Sequence, residues 1–241
     1  YPVYLVDQPR RGQAGQSTVA VELSATPDDQ FWYAQFRIGV YPKMNDGVAF
    51  PKDPAAQAQF FRMMTPDTGS FDVGVITDSM SQLFAKTGGG VFVTHSAGGI
   101  IGWTTAMASD KVQGIIAIEP GAFYFPEGEA PPKLESKFGD VSPLTVPPEQ
   151  FAKLTRIPIV IYFGDFIPDH LDGTQGGEQW HIRMKMAQQF VDTVNKHGGK
   201  AELVHLPKVG IKGNTHFLFS DLNNAQVADH IAHWLHEKGL D

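Results

Sequence analysis

A serine between small residues, in the run Gly90-Val-Phe-Val-Thr-His-Ser-Ala-Gly-Gly99, is the strongest candidate for chemistry in this sequence. An apolar, β-branched run leads straight into Ser96, and a helical pattern follows over residues 100–109. Where a strand turns sharply into a helix, the serine side chain is pushed into solvent and bulky neighbours would clash. The pattern therefore predicts a nucleophile at Ser96, although Thr94 replaces the first glycine of the usual Gly-x-Ser-x-Gly. A serine that only caps the helix is the alternative.

A serine nucleophile needs a base, and the base of such a site is a histidine late in the chain. His216 follows the predicted strand 201–206 and precedes the last helix, so we predict that it is the base. His95 lies inside the turn and is expected to point away from Ser96. The histidines of the last helix do not converge on one face, which argues against a metal site: His230, His233 and His236.

Two carboxylates compete for the role of the acid that orients the base. Glu119 follows the predicted strand 114–118, and Asp165 follows the predicted strand 157–163. Pro120 disfavours a helical conformation of Glu119, which would help to aim its side chain. Each residue could instead be an ordinary carboxylate that caps a turn.

The elements that must position these residues are apolar runs that alternate with helical patterns. Strands are predicted over residues 3–6, 90–94, 114–118, 157–163 and 201–206. Helices are predicted over residues 73–86, 100–109, 178–197 and 222–237. This alternation is typical of a mostly parallel sheet with helices on both faces, and it places the protein in the α/β class.

Two segments interrupt the alternation and are predicted to be insertions into one domain over residues 1–241. Residues 24–68 are rich in aromatic side chains and are interpreted as a cap or a pocket wall, and residues 121–156 as a proline-rich loop. The residues predicted to line a substrate pocket are Phe31, Trp32, Phe36, Phe166 and Phe217.

Composition excludes several classes of function. The net charge is −7 and no basic cluster is present, which argues against a nucleic-acid surface. The absence of cysteine excludes a disulfide scaffold, a thiol nucleophile and thiolate metal ligands. No apolar run approaches the roughly 20 residues that span a bilayer.

Taken together, these motifs resemble a small group of bacterial and fungal esterases of the α/β-hydrolase superfamily. The resemblance extends over residues 1–241 and is best after Leu203, where Leu206-Pro-x-Val-Gly-Ile-x-Gly-Asn-x-His216 precedes Asp221-x-Asn-Asn. The opening run Val6-Asp-Gln-Pro-x-Arg-Gly12 also matches. The resemblance implies a triad of Ser96, His216 and Glu119, no cofactor and no metal. It also suggests a secreted or periplasmic location.

The same resemblance raises an expectation about the beginning of the fold. The backbone N–H of Ala97 is one expected donor to an oxyanion, and the second donor of this fold normally lies in a loop that this sequence lacks. If residues 3–6 are the fourth strand of the fold, the first three strands are missing. We therefore expect a separate N-terminal piece of the same fold, and a homodimer is a further hypothesis.

The sequence predicts a serine carboxylic-ester hydrolase that acts on a small-molecule ester through an acyl-enzyme. A non-catalytic ligand-binding protein on the same scaffold is the rival hypothesis. A dehalogenase or epoxide hydrolase is disfavoured, because those enzymes have a carboxylate where Ser96 stands.

Overall fold

The fold is a mixed α/β structure, described here by a computed structural model that covers residues 1–7, 30–64 and 70–241. The strands are β1 Gly39–Val40, β2 Lys43–Met44, β3 Gly90–His95, β4 Val112–Ile118, β5 Tyr124–Pro126, β6 Leu144–Val146, β7 Pro158–Phe163 and β8 Lys200–His205. The helices are α1 Phe31–Gln35, α2 Pro54–Arg62, α3 Val73–Thr87, α4 Gly99–Ala108, α5 Pro148–Leu154, α6 Gln175–Lys196 and α7 Asn224–Glu237. Two 3₁₀ turns, Ser96–Gly98 and Leu206–Val209, follow β3 and β8.

The central sheet has four strands in the order β3-β4-β7-β8, and all neighbouring pairs are parallel. The inner strands β4 and β7 are apolar on both faces, because helices cover both sides of the sheet. Ile115 and Ile159 face one core with the aromatic rings of α4 and α6, and Ile116 and Val160 face a second core with α7. The predicted fold class is confirmed.

Four strands and four helices lie where the periodicity predicts them, with ends that differ by at most three residues. The two longest helices follow side chains that accept a hydrogen bond from the first turn, Asp72 before α3 and Thr174 before α6. Helix α6 is followed by Gly198 in the left-handed conformation, with φ of 83°. These local signals explain why the main elements could be predicted.

The described part of the aromatic insertion, residues 30–64, has a small apolar core of its own. Tyr33, Ile38 and Phe60 are buried in it, and Phe166 and Phe217 from later in the chain pack against it. Many of the aromatic rings of this segment therefore pack against one another. Residues 24–29 and 65–68 of the predicted cap lie outside the described residues.

The proline-rich segment 121–156 is more regular than the predicted loop. It contains β5 and β6, which pair in parallel, and the helix α5. Pro147 and Pro148 precede or begin α5, where proline lacks only an N–H that the helix does not use. The prolines therefore mark the start of a helix rather than a continuous loop.

The strand predicted over residues 3–6 is wrong. Residues 1–7 have no regular secondary structure, and Val3 and Leu5 are exposed. A strand forms only where a neighbouring backbone accepts its hydrogen bonds, and no described strand pairs with this segment. Residues 8–12 of the opening motif lie outside the described residues.

Within the described ranges, no helix combines the length and apolar character needed to cross a lipid bilayer.

Candidate active site

The predicted turn at Ser96 has the geometry of a strand that ends abruptly in a helix. Ser96 follows the last residue of β3 and adopts a left-handed conformation with φ of 54°. Thr94, which stands where glycine is usual, is buried beneath α4. A Cβ at Gly102 would lie 2.9 Å from Thr94 Cγ2, so the glycine of the helix makes room for the threonine of the strand. Ala97 is exposed directly after Ser96.

Glu119 lies at the end of β4, with its carboxylate fully buried. Its φ is 43°, and its N–H donates to Tyr162 O at 2.9 Å. Oε2 lies 2.6 Å from Nδ1 of His216. Oε1 accepts from the Gly164 N–H at 2.7 Å and from the guanidinium of Arg37. The buried charge is therefore met by a cation and two further hydrogen bonds.

His216 is only 1% exposed and is held by the loop that precedes α7. Asp221 anchors this loop, because its carboxylate accepts from Thr215 N at 2.7 Å and from Thr215 Oγ1 at 3.0 Å. The imidazole lies between aromatic rings, with Phe36 at 4.8 Å and Trp180 at 4.3 Å between ring centroids. Packing and hydrogen bonds thus fix the ring orientation.

The protonation states follow from these contacts. Burial opposes ionisation of Glu119, but Arg37 and His216 outweigh it and lower its pKa to about 2. Burial lowers the pKa of His216, against the opposing effect of Glu119. Because Glu119 is ionised and accepts, Nδ1 of His216 carries the proton of the neutral ring. Nε2 is then an acceptor, and it has no hydrogen-bond partner among the described residues.

Two contacts connect the segment around Ser96 to the segments that carry Glu119 and His216. The Gly121 N–H, two residues after Glu119, donates to Ser96 O at 3.3 Å. His95 lies against His216, with ring centroids 4.3 Å apart, and its Nε2 is 2.9 Å from His216 O. His95, which the sequence did not identify as a site residue, therefore supports His216. Its position directly before Ser96 is the only sequence signal for this contact.

Asp165 lies close to the same loop but does not contact His216. Its Oδ1 accepts from Phe166 N at 2.7 Å, and its Oδ2 accepts from Gly213 N at 2.8 Å. The Asp165 N–H donates to Asn214 O. Asp165 thus braces the loop that carries His216, while Glu119 occupies the position next to Nδ1.

The five residues predicted to line a pocket differ in how directly they contact His216. Phe36 stacks on the imidazole, and Phe217 packs edge-on against Phe36 at 5.0 Å. Trp32 stacks on Phe36 at 5.2 Å, and Phe31 lies beyond it with about half of its surface exposed. Phe166 packs into the aromatic core. Of the five predicted residues, Phe36 and Phe217 have ring contacts with His216.

Sequence analysis missed Arg37. It is 3% exposed, and besides its ion pair with Glu119 its Nε donates to Asp165 O at 2.8 Å. The guanidinium lies over the ring of Trp180, 5.1 Å from its centroid. One signal could have found it, because Arg37 is the only charged residue between Phe31 and Pro42.

Left-handed backbone conformations concentrate at this site. Among the described residues, the non-glycine positions with positive φ are Arg37, Ser96, Glu119 and Phe166. Such conformations cost free energy and tend to persist where the surrounding structure requires them, often at functional sites. No group of three or more His, Cys, Asp or Glu side chains in the described ranges is arranged to hold a metal ion.

The fold is similar to that of a solved structure described as a novel bacterial esterase. The two share 31% sequence identity with a TM-score of 0.68. The similarity covers 86% of this chain and 57% of the esterase, so this chain spans little more than half the length of that protein. No protein-family model matches the sequence, and no curated protein sequence does either. The mostly parallel sheet flanked by helices is consistent with the fold of this esterase.

Proposed function

We propose that this protein is a serine hydrolase that cleaves carboxylic esters through an acyl-enzyme. Two observations support the proposal: the hydrogen bond of 2.6 Å between Glu119 and His216 Nδ1, and the left-handed turn that holds Ser96 directly after β3. A buried carboxylate that holds an imidazole in one tautomer is the arrangement that activates a serine. Similarity to a bacterial esterase supports the same class of reaction.

In the proposed reaction, His216 Nε2 takes the proton of Ser96 as Oγ forms a bond to the ester carbonyl carbon. The oxyanion that results accepts a hydrogen bond from the Ala97 N–H. The C–O bond to the alcohol then breaks, and His216 returns its proton to the leaving alkoxide. Water then attacks the acyl carbon while His216 takes one of its protons. The bond between the acyl carbon and Ser96 Oγ breaks, His216 returns the proton to Oγ, and the carboxylic acid leaves.

The substrate class follows from the side chains around the base. Phe36 and Phe217 contact His216, and Trp32 extends the aromatic surface away from it. Aromatic rings favour apolar or aromatic groups by burying their surface. We therefore propose that the preferred esters carry an apolar or aromatic acyl or alcohol group.

The proposal predicts that Ser96→Ala and His216→Ala each lower ester turnover by about three orders of magnitude or more, because triad members act as a unit. A fluorophosphonate probe should label Ser96 in the unchanged protein, as located by mass spectrometry. Ser79→Ala is the matched control, because Ser79 is exposed on α3 and its hydroxyl donates to Val75 O within the same helix.

Two results would contradict the proposal. Hydrolysis within tenfold of the unchanged protein in Ser96→Ala would remove the serine from the mechanism. An ester that binds without being hydrolysed, together with an unlabelled Ser96, would instead favour the ligand-binding alternative.

A further inference from the structure

Arg37 connects the aromatic insertion to the charged centre of the site. It stands just after α1, and its side chain reaches Glu119 at the end of β4 and Asp165 after β7. Glu119 and Arg37 are both buried, and no other cation forms an ion pair with Glu119 among the described residues. A buried carboxylate without a partner would bind a proton rather than remain charged.

We propose that Arg37 is a positioning residue that acts through Glu119, keeping this buried carboxylate ionised and its second oxygen directed at His216 Nδ1. The inference rests on the proposed role of Glu119 in ester hydrolysis. Arg37 and the Gly164 N–H both bind Oε1, which leaves Oε2 for the imidazole. Two fixed donors on one oxygen therefore determine the direction of the other.

The charge of Arg37 has a second consequence for the base. The positive Arg37, the negative Glu119 and the neutral His216 together have no net charge. Protonation of His216 would leave this buried group with a net positive charge. Arg37 accordingly lowers the pKa of His216, while Glu119 raises it. Arg37 therefore extends the range in which His216 is a free base toward lower pH.

Other groups also act on this cluster. His95 on β3 interacts with Glu119 and His216, Arg183 on α6 with His216, His205 on β8 with Arg37, and Asp221 with Glu119. The pKa of His95 is lowered to about 3, mainly by burial, so His95 stays neutral over most of the range from pH 4 to 9 used in the test below. Asp221, with a pKa raised by burial to about 6, titrates in that range. Asp221 titrates in every variant, so a comparison between variants isolates the effect of the Arg37 charge on the titration of His216.

The test uses Arg37→Gln, which keeps a hydrogen-bond donor and removes the charge, and Arg37→Lys, which keeps the charge. The titration of His216 is followed by NMR in a Ser96→Ala background, and kcat/KM is measured from pH 4 to 9 with Ser96 intact. Without the cation, Glu119 and His216 together take up one proton more readily, whichever of the two residues holds it. We therefore expect Arg37→Gln to move the midpoint followed at His216 and the acid limb of kcat/KM upward by about one pH unit. It should also lower the plateau at least about tenfold.

Arg37→Lys should restore the midpoint, because the cation returns. Arg62→Met is the matched control, since Arg62 is exposed at the end of α2, and both readouts should be unchanged. In a Glu119→Gln background, adding Arg37→Gln should cost no further activity, because Arg37 acts through the charge of Glu119.

Several outcomes would overturn the proposal. Lower activity in Arg37→Gln with an unchanged His216 midpoint would leave Arg37 a merely structural role. If Arg37→Gln does not fold, Arg37→Lys decides: a displaced His216 titration in the folded lysine variant would contradict a role of the charge. The NMR titration needs no turnover, so a protein that hydrolyses no ester would still test Arg37, and the two failures are distinguishable.

Discussion

At the scale of single residues, substitution can test which of the two carboxylates, Glu119 or Asp165, orients His216. Glu119 bonds to His216, whereas Asp165 bonds to the backbone of the loop that carries it. Replacing the acid of a triad by its amide favours the wrong imidazole tautomer, and in the serine-protease case used as the general template this costs about ten-thousandfold. We expect a similar order of loss in Glu119→Gln and a much smaller loss in Asp165→Asn, measured as kcat on one ester. A larger loss in Asp165→Asn would transfer the role to that residue.

At the scale of elements, the end of β7 and the loop of His216 approach so closely that only glycine fits between them. A Cβ at Gly164 would lie 2.6 Å from Thr215 O and 2.8 Å from Asn214 O. Both contacts are with backbone, which cannot rotate away, so Gly164→Ala should displace the loop. We expect a loss of about 1–3 kcal/mol of unfolding free energy, measured by urea unfolding, together with lower turnover.

Gly121→Ala is the control for this effect on stability. A Cβ at Gly121 would meet no atom within 4 Å, and its φ is not positive, so the unfolding free energy should stay the same or rise slightly. Equal stability losses in the two variants would show that the close approach to the loop is not what requires glycine at position 164.

The same scale shows what the sequence could and could not predict. Strong periodicity or continuous apolar runs mark the strands of the central sheet and helices α3, α4, α6 and α7. The residues at the ends of these elements could therefore be predicted. The short elements α1, β5 and β6 were not, because tertiary packing rather than local propensity stabilises them. Residues 3–6 show the reverse error, since an apolar β-branched run needs a pairing partner that local sequence does not specify.

Arg37 could not be assigned from the sequence for a related reason. It is 82 positions from Glu119, and nothing in the local pattern states which buried carboxylate a lone arginine will meet. The pairing becomes visible only when the aromatic insertion is placed against the end of β4. The proximity of Glu119 and His216 could be predicted from the sequence, because each follows a predicted strand. Parallel strands bring their carboxyl ends to one edge of the sheet.

At the scale of the whole molecule, buried histidines should make the fold sensitive to acid. Burial lowers the pKa of His95 from 6.5 to about 3, and it also lowers that of His216. As pH falls below 6.5, the unfolded chain takes up protons that the folded protein does not, so stability falls. Each such histidine contributes a slope of up to about 1.4 kcal/mol per pH unit. Asp221, whose pKa is raised to about 6, partly offsets this loss between pH 6 and 3.8.

His95→Gln keeps a donor for His216 O and removes the titration. Urea unfolding between pH 7 and 4.5 should therefore show a shallower loss of stability in this variant than in the unchanged protein. His233→Gln, at an exposed position on α7, is the matched control for replacing a histidine by glutamine. Identical slopes in all three proteins would assign the acid sensitivity to other groups.

At the left-handed turn, the residue that the proposed reaction requires and the residue that would be most stable are different. An L-residue held at φ of 54° costs about 1 kcal/mol, and glycine adopts the same conformation without this cost. Ser96→Gly should therefore destroy activity and yet unfold at a temperature up to a few degrees higher. Ser109→Gly, at a φ of −128°, should unfold at a lower temperature instead. Under selection for thermal endurance alone, position 96 would drift toward glycine, and the serine would persist only while its chemistry is needed.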